Sequence, residues 1–165
     1  MRILPDCFSS GCYNFQNYTT LDRSVHTMIV NMRNTYRHLA HDISELQLEE
    51  HLQFVERLKK LDDRMYCLVR DNSGRDIFSV NIQDIDLDKN ICNWGFFKIE
   101  KCNSRAVLRC FLDYLAVFTP ICSVLGYVRN DNVKSIFIHK DLGFEIKEVF
   151  DEAGETLFVK ELKNI

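Results

Sequence analysis

The sequence predicts an α/β protein of the α+β kind: a mixed, twisted sheet of about six to seven strands flanked by four helices. Three observations carry that expectation. Apolar residues recur every three to four positions in three separate segments, the period of one helical face, and capping and stopping residues bracket a fourth. Between the second and third of these segments the period drops to two, as in half-buried strands. In the second half strands and helices alternate, and short strand–helix–strand connections place helices on the faces of a sheet. The 165 residues suit one domain, taken as 1–165, with 1–20 as an irregular lead-in or a short edge strand.

The lead-in reading rests on Pro5, Gly11 and several small polar residues set among isolated aromatics. Val25, Met28, Ile29, Met32, Tyr36 and Leu39 form the first helical stripe, with Asp22 or Ser24 as its cap. Leu48, Leu52, Val55, Leu58 and Leu61 form the second, where Glu49 and Glu50 precede Arg57, Lys59 and Lys60, the order that suits the helix dipole. Ser44 and Gln47 are a candidate capping box, with Gln47 equally placed as the first helical residue. Met65–Val69 then reads as a strand, Asp71–Gly74 as a turn, and Ile77, Val80 and Ile82 as a second strand. Beyond the charged loop Asp84–Lys89, Asn90–Ile99 is a third, so the three make an antiparallel meander. Ala106–Phe118 is a helix ended by Pro120. Ser123–Val128 is apolar without alternation, which predicts a central strand. Asn130–Asn132 cap a helix over Val133–Leu142, and Gly143 stops it. Phe144–Phe150 and Thr156–Leu162 close the chain as a hairpin.

Composition narrows the function. The chain is 46% hydrophobic and 27% charged with only 6 Gly and 2 Pro, which excludes disordered and collagen-like readings. Apolar stretches such as Tyr114–Phe118 fall far short of the roughly 20 residues of a membrane crossing. The net charge of −3 comes with no cluster of Lys and Arg, so neither nucleic acid nor membrane is expected as partner; a small molecule or another protein is. Seven cysteines form no CxxC pair, and no metal site is expected. Cys67, Cys92, Cys102, Cys110 and Cys122 lie in or beside apolar runs and read as reduced, mostly buried hydrophobes. Nothing at the N-terminus pairs a basic region with a long apolar run, so cytoplasm is the expected compartment.

The segment from Asn132 to Phe144, NVKSIFIHKDLGF, is where the chain acquires a resemblance. It is similar to a pattern of the GNAT superfamily of acyl-CoA-dependent N-acetyltransferases: Asn, a small residue three positions on, Ile, an apolar-plus-Tyr pair, and a closing Leu-Gly-Phe. The likeness runs from about Leu21 to Leu162. Met32-Arg33-Asn34, Glu49–Phe54, Tyr66–Val69 and Trp94–Phe97 further resemble the branch that acetylates 4-amino sugars on UDP in pseudaminic-acid biosynthesis. The resemblance implies a GNAT-like fold, with acetyl-CoA as acyl donor and a small primary amine as acceptor, a nucleotide-linked amino sugar being first choice. Its rival is a non-catalytic GNAT-like binding or protein-interaction domain with a degenerate acetyl-CoA site.

Site residues follow from the same resemblance. A gap between strands at Cys92–Phe97 and Ser123–Val128 would take the pantetheine arm, with the backbone of Phe96, Phe97, Gly126 and Val128 as its walls. Asn132 is either a contact to that arm or a plain helix cap, and Ser135 lies one turn on. Lys101, Asn103, Ser104, Arg105 and Ala106 correspond to the pyrophosphate loop. Ser104 stands where the family has Gly, and Lys101, Arg105 and the Ser104 hydroxyl are compensating donors, unless they are simply solvated. His139 stands where the family has the Tyr that protonates the CoA sulfur. It lies two helical turns after Asn132, and an imidazole near pKa of about 6.5 can act as that acid, the alternative being a surface His. Arg33, Asn34, His51 and Trp94 are the expected acceptor contacts. Arg33 binds a diphosphate or holds a loop, and His51 meets the acceptor or packs beneath the first loop. A homodimer is expected, because Trp94, Phe96 and the terminal hairpin carry more aromatic surface than one small core covers.

Overall fold

The computed structural model describes residues 2–40 and 42–162. The chain opens with a hairpin of β1 (Cys7–Ser10) and β2 (Tyr13–Asn17), so the expected lead-in is an edge strand and its inner neighbour. What orders it is long-range: Phe8 stacks on Phe15 at 4.8 Å and on Tyr114 of a later helix at 4.0 Å. Gly11 turns the hairpin at φ 59°, and a Cβ there would lie 2.7 Å from Cys110 Sγ, so a larger residue would be strained and would displace that side chain.

Helix α1 (Arg23–Thr35) is shorter than its stripe, because Arg37–Leu39 tighten into a 3-10 turn. Helix α2 (Leu48–Leu58) is capped by Gln47 rather than Ser44, the Gln47 N–H donating to the Glu50 carboxylate at 3.3 Å. The meander follows as β3 (Met65–Arg70), β4 (Asp76–Asp86) and β5 (Ile91–Lys98). Then come α3 (Ser104–Phe118), β6 (Ser123–Arg129), α4 (Val133–Asp141) and the hairpin β7 (Glu145–Phe150) and β8 (Glu155–Glu161).

All eight strands join one sheet in the order β1-β2-β3-β4-β5-β6-β8-β7, slightly more than the six or seven expected. Every neighbouring pair is antiparallel except β5 and β6. The terminal hairpin folds so that β8 lies against β6 and β7 forms the edge.

Each face has its own apolar layer. Ile29 of α1 and Val55 and Leu58 of α2 pack on Leu68 and Tyr18. Val107, Leu108, Phe111 and Leu115 of α3 pack on Val80, Ile82, Cys92 and Val124. Each large side chain so buried stabilises the fold by roughly 1.5–3 kcal/mol. Cys67 and Cys92 are buried and Cys102, Cys110 and Cys122 partly so, while Cys7 and Cys12 are exposed; all seven are free thiols. Burial pushes the Cys92 thiol up to about 12. Trp94 is buried too, so it is not the spare surface on which the dimer expectation leaned; the exposed apolar side chains are others, among them Val117, Phe118 and Ile146. Among the described residues no helix is long and apolar enough to cross a membrane.

Candidate functional site

Strands β5 and β6 pair over three positions only, Ile91 with Ser123, Cys92 with Val124 and Asn93 with Leu125. Both strands continue, but on opposite neighbours: β5 follows β4 as far as Phe78–Lys98, and β6 follows β8 as far as Arg129–Glu155. From Trp94 and Gly126 onward the two part, and each turns one backbone edge into the gap. A cavity of about 570 Å³ opens there.

Alternation along β4 shapes one wall. Phe78, Val80 and Ile82 point into the α3 layer, so Ser79, Asn81 and Gln83 point the other way and reach the cavity as a polar stripe. Tyr66 donates its hydroxyl to Gln83 Oε1 at 2.8 Å. Ser79 Oγ lies 2.5 Å from the buried Tyr18 hydroxyl. Gly95 faces Asn81, where a Cβ would sit 2.9 Å from Oδ1. Four cations, Arg33, Lys98, Arg129 and Lys134, line the cavity, and no carboxylate does among the described residues.

Of the expected cofactor residues, Phe96, Phe97, Ser104, Val128, Asn132 and Ser135 line this cavity. Gly126 does not; it lies beneath the wall, paired with Phe158. Lys101, Asn103, Arg105 and Ala106 lie outside the lining. Asn103 is the cap of α3, its side chain accepting the Ala106 N–H at 3.2 Å, and Arg105 is ion-paired with Asp141 at 2.6 Å. The amides of Ser104 and Arg105 at the start of α3 carry no partner among the described residues. The loop before α3 contains no residue of positive φ, so it needs no glycine at Ser104. Asn132 caps α4 through Ser135 N–H at 3.2 Å and also donates to Leu39 carbonyl at 3.4 Å.

His139 lines the cavity, as its expected cofactor-side place requires, and is not the surface His of the alternative, but its imidazole does not stay near 6.5. It is buried, and burial lowers its pKa to about 4 against the small opposing effect of its bond to Ser135. Its Nε2 accepts the Trp94 indole N–H at 3.0 Å, which leaves the proton on Nδ1, bonded to Ser135 carbonyl at 2.8 Å. At neutral pH the ring is uncharged, and its one proton is committed to the Ser135 carbonyl. Trp94, expected to meet the acceptor, has its only polar atom committed to His139.

The remaining acceptor residues are likewise occupied. Arg33 lines the cavity, but its guanidinium donates to the Ser44 carbonyl and to the Asp42 carbonyl at 2.8 Å, so it holds a loop through backbone oxygens. Asn34 clamps the same loop, both donating to and accepting from the Leu46 backbone at 2.9 Å, and is off the cavity. His51 is buried between α1 and α2, with Nε2 3.0 Å from His26 Nδ1, and never reaches the gap. Sequence reasoning missed Tyr36, Tyr66, Lys98, Arg129 and Lys134. It also missed the Ser79–Asn81–Gln83 stripe, which the polar positions of the β4 alternation do signal.

The fold is that of the GNAT N-acetyltransferases, in divergent form. The chain superposes on the Campylobacter jejuni N-acetyltransferase PseH in complex with acetyl coenzyme A with a TM-score of 0.76, at 18% identity over 90% of this chain and 98% of that one. The Vibrio cholerae spermidine N-acetyltransferase in complex with CoA and spermine gives 0.73, at 15% identity over 90% and 93%. RimL, a ribosomal L7/L12 alpha-N-protein acetyltransferase in complex with coenzyme A, gives 0.77, at 12% identity over 94% and 97%. No protein-family model and no curated protein matches the chain.

Proposed function

We propose that the chain is an acetyl-CoA-dependent N-acetyltransferase of small primary amines, with a nucleotide-linked amino sugar as its acceptor class. The parting of β5 and β6 after Asn93 and Leu125 carries this reading. Two facing backbone edges with no ladder between them accept an extended arm as a sheet edge accepts a strand, and the cofactors named in the PseH and spermidine N-acetyltransferase structures carry such an arm.

The residues fit that donor. Backbone groups of Trp94–Phe97 and of Tyr127 and Val128 would hold the arm, while Lys98, Lys134 and the amide of Ser104 would receive its phosphates. Acetyl-CoA supplies the activated thioester carbonyl. The protein supplies alignment, which is the larger part of such a rate enhancement. With no carboxylate on the wall among the described residues, the proton lost by the attacking amine leaves through water held by Ser79, Asn81 and Gln83. A wall of amides and hydroxyls, with Arg129 held by Asp131 and Arg33 by loop carbonyls, suits a polyhydroxylated acceptor.

The rival reading draws on one observation, that Ala106 and Arg105 of the phosphate loop are already engaged. Calorimetric titration with acetyl-CoA separates the two. Micromolar binding, followed by thiol release with a UDP-linked 4-amino sugar, is the expected result. No binding at millimolar concentration ends the enzyme reading.

A further inference from the structure

We infer that the Trp94–His139 hydrogen bond is a wedge that sets the aperture between β5 and β6, making His139 a positioning residue for the acyl donor. This rests on the acetyltransferase reading.

Position is the first ground. The β5–β6 ladder ends at Asn93 and Leu125, so Trp94 and Gly126 are the first residues on each strand beyond it. The indole N–H to imidazole bond lies directly against Gly126: a Cβ on that residue would fall 2.4 Å from His139 Nε2 and 2.9 Å from Trp94 Nε1. The pair thus fills the fork where the strands divide. Gly126 is not in the left-handed region, so its lack of a side chain answers to this close approach alone.

Rigidity is the second. The Trp94 ring stacks on Phe144 at 4.9 Å, and the His139 ring contacts Phe144 at 4.9 Å and Phe158 at 5.1 Å. Phe96 closes the other side, 5.2 Å from Trp94 and 5.6 Å from His139. The Ser135 carbonyl fixes the tautomer, so Nε2 always presents a lone pair to the indole. An indole N–H buried in this apolar cage without that acceptor would be left unsatisfied. The cage therefore has one low-energy arrangement, and β5 and β6 are held at the spacing it dictates. Both groups line the cavity from below, where a shift of the fork moves the backbone groups that grip the arm.

The chain has one tryptophan, so indole emission reads this bond directly. The experiment combines acetyl-CoA titration, steady-state turnover and Trp94 emission in His139→Leu and His139→Gln, the amide oxygen of Gln replacing Nε2 as acceptor. His139→Leu is expected to blue-shift the emission and weaken acetyl-CoA binding by about tenfold or more. His139→Gln should restore both toward the parent values. If the parent protein binds no acetyl-CoA, the acetyltransferase reading fails. If it binds and folded His139→Leu binds equally well, the wedge is overturned. Retained affinity with collapsed turnover would overturn it in favour of an acid role. Should His139→Leu not fold, Trp94→Phe takes its place: weakened binding by calorimetry supports the wedge, and undiminished binding overturns it.

Discussion

His26 and His51 face each other between α1 and α2, Nδ1 to Nε2 at 3.0 Å, as a buried pair that can hold only one proton between them. Burial lowers both, and the neighbouring His26 adds to the fall of His51, to about 4. His139 is held at about 4 by its own burial. All three are neutral in the folded protein and ordinary, near 6.5, in the unfolded chain.

The sign of the pH dependence follows. Between pH 6.5 and about 4 the unfolded chain binds more protons than the folded one, so stability is full above 6.5 and falls as pH drops through that window. His51 and His139 should each lose roughly 1–2 kcal/mol of stability by pH 5. Thermal melts should shift down by roughly 5–10 °C between pH 7 and pH 5. A profile flat over that interval would show that the imidazoles are not held neutral.

Two glycines make a paired prediction. An added Cβ at Gly126 meets buried ring nitrogens at 2.4 and 2.9 Å, whereas one at Gly95 meets the tip of the Asn81 side chain at 2.9 Å. The rings are caged and the Asn81 amide can rotate. Gly126→Ala should therefore cost about 1–3 kcal/mol and perturb Trp94 emission, and Gly95→Ala under about 1 kcal/mol. Chemical denaturation of both variants measures the difference; equal costs would show the fork to be loosely packed.

Much of the fold is legible locally. The nearly continuous apolar run of β6 marks a central strand, and Asn132 and Gly143 bracket α4 within a residue. The parting strands follow from the family resemblance, not from the residues of β5 and β6 themselves. Three features escaped because their causes lie outside the segments that carry them. The first hairpin is ordered by stacking of Phe8 on Tyr114, about a hundred residues downstream. Arg33 and Asn34 are claimed by carbonyls of a returning loop, 9 to 12 residues on. The basicity of His139 is set by rings from β5 and β8 and by Phe144, which no helical spacing reveals.

Ser104 tests where the phosphates lie. It is the first residue of α3 and lines the cavity. Ser104→Glu places a negative charge at a helix N-terminus, which favours the fold, so lost binding cannot be blamed on unfolding. Acetyl-CoA affinity should drop at least about tenfold, read by calorimetry at low ionic strength. An unchanged affinity would put the phosphates elsewhere.

The acceptor class is tested at Gln83. Its side-chain oxygen accepts the Tyr66 hydroxyl at 2.8 Å, and Gln83→Glu keeps that acceptor while adding a carboxylate to the wall. Roughly 8 Å from a ligand charge, at an effective dielectric near 20, the new charge is worth about 2 kcal/mol. A UDP-linked amino sugar should lose about tenfold or more in kcat/KM, while spermidine should gain. Competition between the two acceptors on parent and variant reads the sign directly. A parent enzyme that prefers spermidine would reverse the assignment.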